Sequence, residues 1–140
     1  MKPSEVFVIS GQMALPMWLL MIVLPKWKGT RFLIDYKIIP IALSIMYAIY
    51  IYTSVSSGGS LDFGSFQSVM QLFTQENAVL AGWVHYLAFD LLMGMWMLNQ
   101  NKELGIHQLV MVPILLATFM LGPIGFLLFM TAKTIKEKLS

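Results

Sequence analysis

Trp83-Val84-His85-Tyr86-Leu87-Ala88-Phe89-Asp90 sits inside an apolar run covering residues 78–98. At 1.5 Å per residue of helix, that run spans about 31 Å, the thickness of a bilayer's hydrocarbon core. An ionised side chain at such a depth costs on the order of 2.5–3.5 kcal/mol on insertion scales. A chain keeps one there when it is paired, faces an internal cavity or performs chemistry. Asp90 and His85 are therefore expected to face an enclosed hollow rather than lipid.

Outward from this stretch, three more blocks have the same character. The four expected spans are residues 6–24, 38–55, 78–98 and 109–131, each near the ~20 residues that a crossing helix needs. The whole chain is 58% hydrophobic and 11% charged, against about 25% charged in soluble domains. Continuous apolar blocks of this length exclude a membrane barrel, whose strands alternate. The sequence predicts an all-α integral membrane four-helix bundle, with residues 1–140 forming a single transmembrane domain.

The block at residues 6–24 is followed by no small-residue cleavage site. Pro25-Lys26-Trp27-Lys28 comes next and reads as an interfacial anchor, so the block is retained as a helix. With no cysteine in the chain, there is no disulfide framework, thiolate nucleophile or sulfur-ligated metal. A net charge of +2 carries no signature of nucleic-acid binding.

Charge sets the expected topology. The first connection holds Lys26, Lys28, Arg31 and Lys37 against Asp35, net +3. By the positive-inside rule it is cytoplasmic and the N-terminus lies outside. The tail cations Lys133, Lys136 and Lys138 then also fall outside, which opposes the rule, and the early signal is given precedence.

Within the second connection, Ser56-Ser57-Gly58-Gly59-Ser60 reads as a flexible turn. Phe63, Phe66, Met70 and Phe73 then recur at helical spacing. They predict a short interfacial helix between the second and third spans, either lying on the membrane surface or tucked onto its neighbours. Pro16 and Pro123 are expected to kink the first and fourth helices. Gly122 and Gly125 beside Pro123 allow close approach of a neighbouring helix or a ligand.

On the third helix Glu76, Trp83, Asp90 and Met97 fall seven apart and drift only about 20° per step, forming one stripe. His85 lies about 140° away from Asp90. His107 opens the fourth helix at the membrane edge, and approaching Asp90 would require a re-entrant turn. Each has a plainer reading: Asp90 as a structural hydrogen-bond partner, His85 as a packed imidazole, His107 as interfacial polarity, Glu76 as a helix cap. His85, Asp90 and His107 are the right residue types for a facial-triad iron site, but their spacing matches no compact metal motif, and no metal or other cofactor is expected. A carboxyl in oil paired with an imidazole suits proton transfer instead. No serine-nucleophile elbow, phosphate loop or hydride-cofactor fingerprint is present.

Taken together, Trp83-x-His85-Tyr86-Leu87-Ala88-Phe89-Asp90-Leu91 with Gly94 and Trp96, Gly105-Ile106-His107, Pro113, and Phe119-Met120-Leu121-Gly122-Pro123-x-Gly125 resemble the abscisic acid-deficient-four-like family. This is a group of small four-helix membrane proteins of plants, algae and bacteria. The resemblance covers residues 76–130 well and the first half loosely. The family pattern often places an Arg after the glycine of the third helix and an Arg-Asp pair at its end. Here those positions hold Met95 and Asn99-Gln100. The plant member is implicated in making neoxanthin from violaxanthin, so the resemblance implies a carotenoid substrate lying in a groove between helices.

That conversion is an isomerisation needing a general acid at an epoxide oxygen and a base at a neighbouring carbon. Asp90, His85 and His107 are the expected catalytic residues. Glu76, Trp83, Tyr86, Trp96, Gly122 and Pro123 are the expected substrate-binding residues. The chain shows no plastid transit extension, which points to a bacterial inner membrane. Expected partners are the polyene and membrane lipid, with a homo-oligomer compatible. Rival readings are oxidative cleavage of the polyene to an apocarotenoid such as retinal, in which iron would enter, a non-catalytic carotenoid-binding or scaffold protein, and a purely structural subunit.

Overall fold

The computed structural model describes all 140 residues and contains seven α-helices: α1 (Pro3–Val23), α2 (Lys28–Tyr36), α3 (Ile38–Ser56), α4 (Phe66–Leu72), α5 (Glu76–Leu104), α6 (Gln108–Met120) and α7 (Gly122–Leu139). Three stretches, Pro3–Val23, Lys28–Ser56 and Glu76–Leu104, are long and apolar enough to cross a membrane. The apolar α6 is shorter, at 13 residues, or about 20 Å. The expected fourth span is therefore not one helix.

The break falls at Leu121, and Pro123 explains it. Inside a helix its ring would clash with the carbonyl four residues back and a backbone bond would be lost. Instead α6 closes with the Leu121 N–H on the Ala117 carbonyl. A new helix then starts, with Pro123 in its first turn, where a missing N–H costs nothing. The expected kink at Pro123 is a full interruption, whereas Pro16 lies inside continuous α1.

The packing falls into two compact units, each assembled from separate parts of the chain: Met1–Ala14 with Ile39–Ala88, and Leu15–Ile38 with Phe89–Ser140. In the first unit, Val6, Ala14, Leu43, Leu72, Val84 and Ala88 are buried. On α3, Ile41, Ile45, Ile49 and Tyr52 recur at helical spacing and are 54–75% exposed. A stripe of that kind is a liability in water and natural against lipid.

The expected short helix is α4, capped by Ser65, whose Oγ accepts the Ser68 N–H at 3.1 Å. Phe63, Phe66 and Met70 are turned outward, Phe73 is half exposed with one ring edge against Gly82 of α5, and Leu72 is buried. Just before it, Asp62 accepts the Gly64 N–H at 2.8 Å. That bond, helped by the Ser68 hydroxyl, holds the Asp62 carboxyl below its usual range.

The second unit buries Met17, Trp18, Met21, Ile34, Leu91, Met95, Met97, Leu115 and Phe129. It also contains α2, a helix inside what reads as a plain connection. Its buried residues Thr30 and Ile34 are one turn apart, and it ends at Lys37, which takes a left-handed conformation at φ 51°. The helix α5 runs six residues beyond the apolar run, through Asn99-Gln100-Asn101-Lys102-Glu103-Leu104, where Gln100, Lys102, Glu103 and Leu104 are good helix formers that continue a helix after hydrophobicity ends. Asn101 then builds the turn: its side-chain oxygen accepts the Ile106 N–H at 2.7 Å and its NH2 donates to the Ile106 carbonyl at 3.0 Å.

Candidate functional site

In the second unit the half-buried Asp90 lies against the start of α7. Gly122 is buried, and a Cβ there would collide with Asp90 Oδ1, with Cγ only 3.1 Å away. The carboxyl therefore occupies the space a side chain would take, which is why glycine stands here. It also faces the positive end of the α7 dipole. Three residues on, a Cβ on Gly125 would strike Thr118 at its hydroxyl, backbone N and Cα. The last turn of α6 and the first of α7 thus meet at backbone distance, as small residues allow in membrane helices. Thr118 is fully buried, donates its hydroxyl to the Ile114 carbonyl at 2.8 Å and reaches Met97 Sδ at 3.5 Å.

Trp96 is partly exposed and packs on α7, 5.4 Å edge-on to Phe129 and 6.3 Å from Phe126. Pro123 is exposed. Met95, where the resemblance suggests an arginine, is buried. Asn99 accepts from Arg31 Nη1 at 3.2 Å, so α2 brings a guanidinium to the end of α5.

His107 is elsewhere. It is the N-cap of α6, its Nδ1 accepting the Leu109 N–H at 3.1 Å, and it is exposed. Asp90 is held by Gly122, just past the other end of α6. The two groups are therefore separated by the length of that helix, about 20 Å. The turn at Asn101 is tight rather than re-entrant, and the structure does not bring His107 to Asp90. No group of three or more His, Cys, Asp or Glu side chains is arranged to hold a metal ion, so His85, Asp90 and His107 do not fit an iron centre.

In the first unit, His85 packs edge-on to Tyr47, with ring centroids 5.7 Å apart. It is exposed, which corrects the expectation that both polar groups of this stretch face an enclosed hollow. Trp83 packs on Phe7 at 4.9 Å and on the half-buried Tyr86 at 5.8 Å. Its buried indole N–H has no hydrogen-bond partner, and donors in that state are uncommon in folded proteins. Glu76 is exposed at the start of α5 and lines a small polar cleft with Ser54, Ser57 and Gly58, a favourable place for an acid at a helix N-terminus.

Sequence reasoning missed Thr118, Arg31 and Asn99. No periodic signal in the sequence marks Thr118, and the charge of Arg31 carries a topology signal that conceals its pairing with Asn99.

No curated protein and no solved structure matches the chain. A family model does, over residues 5–129. The Asp90–Gly122 contact and the α6–α7 break both lie within that match, and the chain belongs to the family described as ABA DEFICIENT 4-like, the one its third and fourth helical blocks resemble.

Proposed function

We propose that this chain transforms a carotenoid or related polyene in the membrane by acid/base isomerisation, with Asp90 carrying the proton. Membership of the family supports a carotenoid- and neoxanthin-related membrane protein. The observation that carries the finer reading is Asp90 itself, a half-buried carboxyl lodged on the α7 backbone in the apolar middle of α5. Such a group is pre-positioned by packing, as proton transfer requires.

In the proposed step a protonated carboxyl gives its proton to an epoxide oxygen as the C–O bond breaks. A base removes a proton from the neighbouring carbon, and those electrons form the new double bond. Nothing is oxidised overall, and substrate and product have equal mass. His85, on the same helix, is the proposed second proton carrier. The unpartnered Trp83 N–H is a donor suited to an oxygen on the ring end of the pigment. Tyr86 and Trp96 are the proposed apolar walls, Gly122 and Pro123 the close-approach residues, and Glu76 a polar contact at the membrane edge.

The proposed setting is a bacterial inner membrane with the N-terminus outside. Lys26 and Arg31 of the first connection lie with Lys102 of the third around one cavity, so these cations share one side, the side that the positive-inside rule makes cytoplasmic.

A second reading, a carotenoid-binding protein without turnover, is favoured by the exposure of His85 and the capping role of His107. Expression in hosts that accumulate cyclic, hydroxylated or epoxidised carotenoids separates the readings. Isomerisation gives a new pigment peak of unchanged mass that disappears in Asp90→Asn. A coloured purified protein with unaltered pigment selects binding, and a shorter, oxygen-dependent product selects cleavage. An unchanged pigment profile with colourless protein contradicts both carotenoid readings.

A further inference from the structure

At the end of the second unit away from Asp90 is a cavity of about 630 Å³, within the range of small-molecule sites. Its apolar side is formed by Met21, Ile22, Leu98, Met111, Val112 and Leu115. Its polar side carries Lys26, Arg31, Lys102 and His107, and no Asp or Glu lines it. Asp35 and Glu103, close in sequence to Arg31 and Lys102, stand outside the lining.

The neutral polar groups there are already committed. Asn101 brackets Ile106, and Gln108 Nε2 donates to the carbonyls of Ile22 and Val23 at 3.2 and 3.3 Å, closing the end of α1. Arg31 is half-buried and steadied by Asn99. Lys26 and Lys102 have no ion-pair or hydrogen-bond partner in the chain.

We propose that this cavity binds an amphiphile with an anionic head, its phosphate on Lys26, Arg31 and Lys102 and its hydrocarbon on the apolar side; the occupant is an anionic membrane phospholipid. Three cations converge without an internal carboxylate, a charge arrangement that an anion relieves. A free small anion would use the cations and leave the apolar side unfilled, whereas a lipid uses both. Juxtamembrane cations are also where anionic head groups concentrate.

Titration of the full chain in neutral detergent, read by native mass spectrometry, tests this. The probes are phosphatidylglycerol, phosphatidylcholine, inorganic phosphate and oleate. Phosphatidylglycerol is expected to bind more tightly than phosphatidylcholine. Oleate, which shares charge and chain, is expected to compete, and inorganic phosphate at equal concentration is not. At about five-fold per cation, Lys26→Gln with Lys102→Gln lowers phosphatidylglycerol affinity about 25-fold and reduces the preference to the share that Arg31 supplies. Both lysines are exposed and unpaired, so the helical signal should be unchanged. Val112→Trp, at a half-buried lining position, keeps every charge and is expected to abolish binding by filling the apolar side. Equal binding of the two lipids, a preference undiminished in the double lysine variant, or inorganic phosphate displacing lipid would overturn the proposal.

Discussion

The two ends of α6 in the second unit are built from opposite materials. At one end a single carboxyl is set into the space left by a glycine, beside a helix contact so close that Gly125 and Thr118 touch through backbone. At the other, flexible cations surround an apolar chamber, and the amides are used to hold turns and helix ends. The first end is defined by backbone geometry and cannot absorb added atoms. The second is defined by long side chains around an open volume and tolerates substitution. A membrane helix pair gains little from hydrophobic drive between its members, so close packing of small residues has to hold it. The rigid end is where that packing is found.

The largest expected effect is at Gly125. Gly125→Ala sets a methyl against the backbone of Thr118, which cannot swing aside, and should cost about 3 kcal/mol, the upper part of the overpacking range. Thermal unfolding in detergent measures it, and a near-neutral result would mean that α6 and α7 do not approach as described.

Gly122→Ala should cost less, about 1–2 kcal/mol, because its collision is with a movable side chain. The sharper test is the cycle with Asp90→Ala. Removing the carboxyl should make Gly122→Ala milder by about 1 kcal/mol, and strict additivity would deny that the two positions share one space.

At the opposite end, His107→Ala should cost about 1 kcal/mol through loss of a cap. His107→Asn should restore most of it and leave pigment turnover unchanged. If turnover falls in His107→Asn while stability holds, His107 takes part in the chemistry and the contrast between the two ends fails.

The smallest effect serves as a control away from both ends. The Asp62 carboxyl is held below its usual range by the Gly64 N–H. The turn is therefore favoured wherever Asp62 is ionised and is lost as pH falls through that lowered value. Limited proteolysis between Asp62 and Ser65 should accelerate only under strongly acidic conditions, and Asp62→Asn should remove this pH dependence.

The long helices were legible because their apolar runs are long: α1, α3 and the core of α5 begin and end within a few residues of the expected bounds. The α6–α7 break was not, since a proline in an apolar run reads equally as a kink or a stop. The contact made at the new helix start, the Asp90 carboxyl against Gly122, joins residues 32 positions apart and leaves no local signal in the sequence. Helix α2 was hidden for another reason: only Thr30 and Ile34 are buried on its inner face, too few for a periodic signal. Of the candidate site, Asp90 stood out because a charge in oil is costly. The exposure of His85 depends on which face of α5 the neighbouring helices cover, and periodicity on one helix cannot supply that. The basic chamber needs residues of two connections to meet, so its charges had meaning for topology before they had meaning for binding.

The central claim is that Asp90 is a proton carrier lodged on the α7 backbone and not merely the partner that fills the Gly122 gap. Asp90→Asn keeps size and shape while removing the ionisable group, so one comparison of pigment profile and melting temperature in the same preparation tests it. The account predicts a melting temperature within a few degrees of the parent chain and turnover reduced by about 100-fold or more. Full turnover in Asp90→Asn, or lost turnover explained by an unfolded protein, would contradict it.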